Sequence, residues 1–120
     1  MSAKEERVTD PSTGGQKGRK DVELFFLDPL ALEELGRVAA FGARKYAPFN
    51  FAKGYAWSLS FNAMGRHILK FLRGEERDLN EHGEVDEDHS GCLHVVCAAW
   101  HGLALATFIL RKRGTDDRIK

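Results

Sequence analysis

The run "CLHVVCAAWHGLALATFIL", Cys92 to Leu110, holds 19 residues without an acid, a lysine or an arginine, and Arg111, Lys112 and Arg113 follow directly. No other feature restricts the fold so strongly, because a helix of that length and composition must be covered by lipid or by protein. A bilayer span is the poorer choice. His94 and His101 lie near one face of the helix, and the rest of the chain reads as polar and amphipathic. The run is therefore predicted to be a central helix, starting at Asp88 or Ser90, reaching about Lys112 and buried on most sides. His94, Cys97, Ala98, His101, Leu105 and Phe108 form one stripe along it.

Two shorter helices are predicted to pack on it. Asp28 before Pro29 is a helix start, and the first helix runs to about Tyr46, where Pro48 ends it. Ala31, Leu35, Val38, Ala39, Gly42 and Tyr46 share a face, with Phe41 at its margin. Glu34 and Lys45 fall on the oily side of that helix, and a buried acid there needs a partner or a metal. "APFNFAKGYAW" is an aromatic loop. Ser58 is expected to cap a second helix that reaches Arg73 before Gly74 stops it. His67 sits among Ala63, Met64 and Phe71 on that helix's apolar side, with Arg66, Lys70 and Arg73 along one edge.

The remainder bounds the class. A chain of 120 residues makes about one domain, with residues 1–20 a flexible tail and 21–120 a single helical domain. No strand period or internal repeat stands out, so the fold is expected to be all-α, a small bundle of three main helices. Zero net charge and a pI of 7.0 argue against a nucleic-acid polymer as partner, though a local basic patch can still take a phosphate-bearing small molecule. Cys92 and Cys97 read as reduced thiols, and the first 20 residues lack an apolar signal core, so a cytoplasmic location is expected.

Four groups of residues carry possible chemistry. Glu75 and Asp78 form an E-x-x-D pair after the second helix, where carboxylates one turn apart suit a hard cation such as Mg²⁺ or Mn²⁺, and Glu34 can complete the shell. His67, His94 and His101 form a second group. Cys97 between the last two suggests zinc, but no fourth ligand is evident. "DLNEHGEVDEDH", Asp78 to His89, imitates a calcium loop yet ends in His89, where a bidentate glutamate is expected, so the match is read as accidental. The last group is basic: Arg44, Lys45, Arg66 and Lys70, joined by Lys17 and Lys20 from "TGGQKGRK", can offset triphosphate charge. Trp57, Phe49 and Tyr55 beside Asn50 either stack on a base or pin their loop to the core.

The ordered blocks "TGGQKGRK", "GARKYAPFNFAKGYAWSLSF", "RHILKFLRGE", "SGCLHVVCAAWHGLAL" and "DDR", spanning roughly residues 13 to 118, resemble the dATP/dGTP diphosphohydrolase-type domains common in phages. That family in turn resembles the MazG-like all-α nucleoside triphosphate pyrophosphohydrolases, MazZ enzymes included. The resemblance implies a bundle completed by oligomerisation, as dimer or tetramer, in the cytoplasm of a bacterium or phage-infected host. It implies Mg²⁺ or Mn²⁺, and cleavage of a purine (deoxy)nucleoside triphosphate to monophosphate and pyrophosphate. Carried over by position, Glu34, His67, Glu75, Asp78, His94 and His101 match the family's polar positions, as do Lys45, Asn50, Trp57 and Arg66.

The roles expected from this are as follows. Glu34, Glu75 and Asp78 hold metal, Glu34, His67 and Arg66 are catalytic, and Lys45, Asn50, Trp57, Lys17, Lys20, His94 and His101 bind nucleotide. Two departures stand against full activity. Arg37 occupies the place three beyond Glu34 where the MazG pattern has a second acid. The acidic loop, with eight acids from Glu75 to Asp88, is also longer than the pattern, so Asp78, Asp86 and Asp88 compete for one role. A helical module that binds nucleotide without hydrolysing it is the alternative. An HD-type phosphohydrolase is disfavoured, because the one adjacent pair, Asp88 and His89, has the reverse order.

Overall fold

A computed structural model describes residues 5–120. Strands β1 (Glu6–Thr9) and β2 (Gln16–Arg19) pair antiparallel, with Glu6 opposite Arg19 and Thr9 opposite Gln16. A single 3₁₀ turn (Leu24–Phe26) leads to α1 (Pro29–Lys45). Another 3₁₀ turn (Asn50–Lys53) precedes α2 (Trp57–Leu72), and α3 (His94–Arg111) follows a long loop.

The hairpin corrects the all-α expectation. Its turn is built from local chemistry: Asp10 Oδ1 accepts from the backbone N–H groups of Ser12 and Thr13 and from the Ser12 hydroxyl, and Gly14 takes the positive φ that closes the loop. Strands of four residues, all but Gly18 exposed, carry almost no apolar alternation, so hydrophobic pattern alone does not reveal them.

The helix ends show which boundaries sequence chemistry fixes. Asp28 caps α1 through Oδ2, which accepts from Ala31 N–H at 2.9 Å, with Pro29 in the first turn as expected. Ser58 does not cap α2. It lies inside the helix, where its backbone N–H and hydroxyl donate to the two carboxylate oxygens of Asp117 at 2.9 and 2.5 Å. The Trp57 indole donates to the Arg113 carbonyl, and Arg118 lies over the Trp57 ring at 4.9 Å. The C-terminal strand of chain thus caps α2 from a distance, and Gly54 and Gly114 pass so closely that a Cβ on either would strike the other segment's backbone. Asp117→Ala is expected to lower Tm by a few degrees and to fray the start of α2, readable as faster amide exchange at Ser58 and Leu59.

The third helix begins neither at Asp88 nor at Ser90 but at His94, and its N-terminus is capped from another helix. Leu93 N–H donates to Glu34 Oε1 of α1 at 3.1 Å. Packing centres on α3, which meets α2 most extensively and takes α1 near its start, where Val38 packs with Cys92 and Cys97. The buried apolar core is small: Val38, Cys92, Cys97, Ala98, Ala104 and Phe108. α3 is long and apolar enough to cross a membrane by length and composition, and here it lies against α1 and α2. It is not buried on most sides, which corrects that expectation. Val95, Ala99, Leu103 and Leu110 line an open face, and Phe61, Ile68 and Leu72 do the same on α2. The accessible surface is 9467 Å². A compact monomer of 13.5 kDa shows roughly 6500 Å². The radius of gyration of 18.5 Å likewise exceeds the roughly 14 Å of a compact chain this long.

Candidate functional site

A cavity of about 890 Å³ opens between the second half of α1, the aromatic loop, one edge of α2, the first half of α3 and parts of the loop before it. Lys45, Asn50, Arg66, His67 and His101, expected at the site, line it together with Asp78, Lys70 and Asp88. The aromatic loop is pinned rather than free. Phe51 meets Trp100 edge-on at 5.5 Å, and Tyr55 meets the fully buried Phe108 at 5.1 Å. Tyr46 and Phe49 stay exposed at the mouth, Phe49 held at a φ of +60°.

The histidines form a connected column through the floor. His67 and His94 join Nδ1 to Nδ1 at 2.9 Å, and the His67 ring stacks on His101 at 6.1 Å between centroids. His101 Nδ1 bonds the Ser60 hydroxyl at 3.1 Å, and that hydroxyl also bonds Tyr55 Oη at 2.5 Å. Two Nδ1 atoms in contact can share only one proton, so at least one of His67 and His94 is neutral. Burial pushes the His67 imidazole below its ordinary range, against the opposing pull of Asp78. Burial, with the neighbouring His67, takes His101 down to about 4. The His67 Nε2 atom makes no hydrogen bond among the described residues. Beneath them His94 is 1% exposed, and its Nε2 is unbonded, 3.5 Å from a Glu75 oxygen without hydrogen-bond alignment.

These shifts set a pH dependence. The unfolded chain binds a proton at His101 near pH 6.5, and the folded chain only near 4. The stability is therefore fully present above about pH 6.5 and is lost as pH falls toward 4, with His67 acting in the same direction. Allowing for partial solvent screening, the unfolding free energy extrapolated to zero urea should drop by about 1–2 kcal/mol from pH 7 to pH 5. A flat profile would show that the histidine column is solvated.

The acids are arranged differently from the expected ligand set. Glu34 is turned away from the cavity into a separate depression of about 400 Å³, which it lines with Arg37, Arg44 and Arg77. Its carboxylate accepts from Leu93 N–H and pairs with Arg37 at 3.2 Å and Arg77 at 3.4 Å. The Leu93 N–H, ahead of the arginines, holds the Glu34 pKa below the usual carboxylate range. A nearly buried acid on the oily side of α1 is thus accounted for by a helix N-terminus and two guanidinium groups.

Asp78 is 7% exposed and accepts from the Ser90 N–H and hydroxyl. Glu75 stands at the solvent edge near His94. Among the described residues no three His, Cys, Asp or Glu side chains converge as a metal-ligand set, so Glu34, Glu75 and Asp78 do not fit one ion within a single chain. The calcium-like loop spends its oxygens internally. Asn80 Oδ1 accepts from the His82 and Glu84 N–H groups, and Asp86 bonds His89 and Asn80. Asp88 instead reaches Lys45 at 3.3 Å across the cavity mouth.

Trp57 does not line the cavity, being held by Arg113 and Arg118, and Lys17 and Lys20 lie on or beside the hairpin, which among the described residues makes no extensive contact with a helix. Cys92 and Cys97 are free and buried, and burial raises the Cys97 thiol to about 11, so it stays protonated. Ser60 supports the site without having been expected there, whereas Tyr55 packs on the core, one of its two expected roles. The signal for Ser60 was its place seven residues before His67, on the same helix face.

The sequence model of the family described as dATP/dGTP diphosphohydrolase, N-terminal, matches residues 11–118. The chain belongs to that family. It is 30% identical over 105 residues to the dATP/dGTP diphosphohydrolase of Salmonella phage PMBT28, an alignment covering 88% of this chain and 32% of that protein. The chain therefore spans about a third of the length of the curated relative it matches. No solved structure matches it.

Proposed function

We propose that this chain hydrolyses a purine (deoxy)nucleoside triphosphate, such as dATP or dGTP, to the monophosphate and pyrophosphate. The observation that carries the reading is His67. A neutral imidazole with an unbonded Nε2 lines a cavity of nucleotide size, on a helix edge that also presents Arg66 and Lys70. In the reaction a water oxygen bonds to the α-phosphorus as the bridging bond to the β-phosphate breaks. The bond's electron pair leaves with pyrophosphate, and the water proton passes to His67 Nε2. Asp78, whose charge opposes the effect of burial on His67, favours the imidazolium that results. Arg66, Lys70 and Lys45 meet the charge gathering on the leaving group, Lys45 exchanging its exposed Asp88 partner for phosphate. Tyr46 and Phe49 at the mouth offer faces to the base, with Asn50 able to hydrogen-bond its edge.

The proposal includes dependence on Mg²⁺ or Mn²⁺ and assembly of several copies. No step is assigned to an ion, because one chain brings no ligand trio together. Self-association is supported by the surplus surface and the open faces of α2 and α3. The missing trio also favours a second reading, a module that binds nucleotide without cleaving it. Purified protein incubated with each dNTP and either ion, with monophosphate and pyrophosphate quantified, separates the two. Turnover with one purine dNTP supports hydrolysis, and calorimetric binding without product selects the module.

A further inference from the structure

We propose that Val22–Leu30 is an exchanged arm, seated on the α2–α3 face of a second copy of this chain. The idea rests on the self-association proposed above and specifies its contact. Within nine residues, Val22, Leu24, Phe25, Phe26, Leu27 and Leu30 are all exposed, Phe25 at 91% and Phe26 at 75%. Soluble surfaces scatter large apolar residues singly, so a continuous run marks a contact surface. Six such side chains present roughly 800 Å², the share one partner contributes to a standard interface.

The arm's own chain supplies no cover. Among the described residues the hairpin before it makes no extensive contact with a helix, and α1 after it reaches α3 through Glu34 and Val38, on later turns. Among the described residues the one aromatic partner of Phe25 and Phe26 is each other, edge-on at 5.8 Å. The exit is also stiff. Asp28 caps α1 and Pro29 opens it, so the arm leaves the helix at a fixed angle instead of folding back.

The same chain carries a second uncovered apolar surface of matching kind. On α2, Phe61, Ile68 and Leu72 are spaced by seven and four. On α3, Val95, Leu103 and Leu110 are spaced by eight and seven, so each set is one helical stripe. Two surfaces that do not meet within one chain are satisfied together when two copies exchange arms about a two-fold axis. An open head-to-tail array would leave an arm uncovered at one end and a face at the other.

The test uses the full chain. Phe25→Cys is made in one preparation, and Ile68→Cys, Leu103→Cys or Leu110→Cys in another. The pairs are mixed, oxidised and run without reductant beside light scattering of the wild type. The expected result is a wild type of at least two chains and a disulfide between chains for one or more pairings. Phe25→Ser with Phe26→Ser should keep the helical circular dichroism and weaken association at least about 100-fold. If that variant unfolds, the cross-link alone decides. A wild type of single-chain mass at tens of micromolar sinks both self-association and the arm. A wild-type oligomer with no cross-link in any pairing sinks the arm alone, as does a disulfide that closes within a single chain when Phe25→Cys and Leu103→Cys are combined in one double variant.

Discussion

Phe108→Ala should cost the domain about 3–5 kcal/mol, close to what many domains possess in total. Phe108 is 0% exposed, in a core of six apolar residues that includes two alanines and two cysteines. Few neighbours are large enough to collapse into the space, so the cavity persists. The loss also reaches the site. The Phe108 ring seats Tyr55, whose hydroxyl fixes Ser60, whose hydroxyl in turn fixes His101. Urea titration of wild type, Phe108→Leu and Phe108→Ala should give the order of decreasing stability, with leucine losing less. A change below about 1 kcal/mol for alanine would show that Phe108 is not packed as described.

His67→Gln should lower kcat by about 10²–10⁴-fold in a preparation whose wild type turns over, with purine nucleotide binding kept within a few-fold. Glutamine retains a polar atom near His94 Nδ1 but cannot accept and hold a proton from water. Alanine at the same position adds a second defect, because His94 is buried, already has an unbonded Nε2, and would lose its Nδ1 partner as well. An unpaired buried group costs about 1–3 kcal/mol, so His67→Ala should be less stable than His67→Gln at equal inactivity. Steady-state kinetics with thermal melts reads both. If His67→Gln keeps near-wild-type kcat, the proton acceptor lies elsewhere and the assignment falls.

Local chemistry in the sequence was enough to place three helices, because each carries a strong period and α1 carries its own cap at Asp28. Lys45, Asn50, Arg66, His67 and His101, named from the family resemblance, line one cavity, though spacing along the chain alone does not bring the three helices that carry them side by side. Helix starts failed where the cap came from elsewhere. Ser58 yields to Asp117 for α2, and Ser90 yields to Leu93 and Glu34 for α3. The hairpin escaped because its stability is turn chemistry, not burial.

Sequence by itself determined the period, length and polarity of each helix, and the residue types available for chemistry, because these depend on neighbours three and four positions away. Only the tertiary structure decided the partners of the acids. Glu34 turns to the α3 N-terminus, Asp78 to Ser90 and Asp88 to Lys45. A buried or half-buried charge takes whichever donor the packed chain brings within about 3 Å, and that donor can be dozens of residues away.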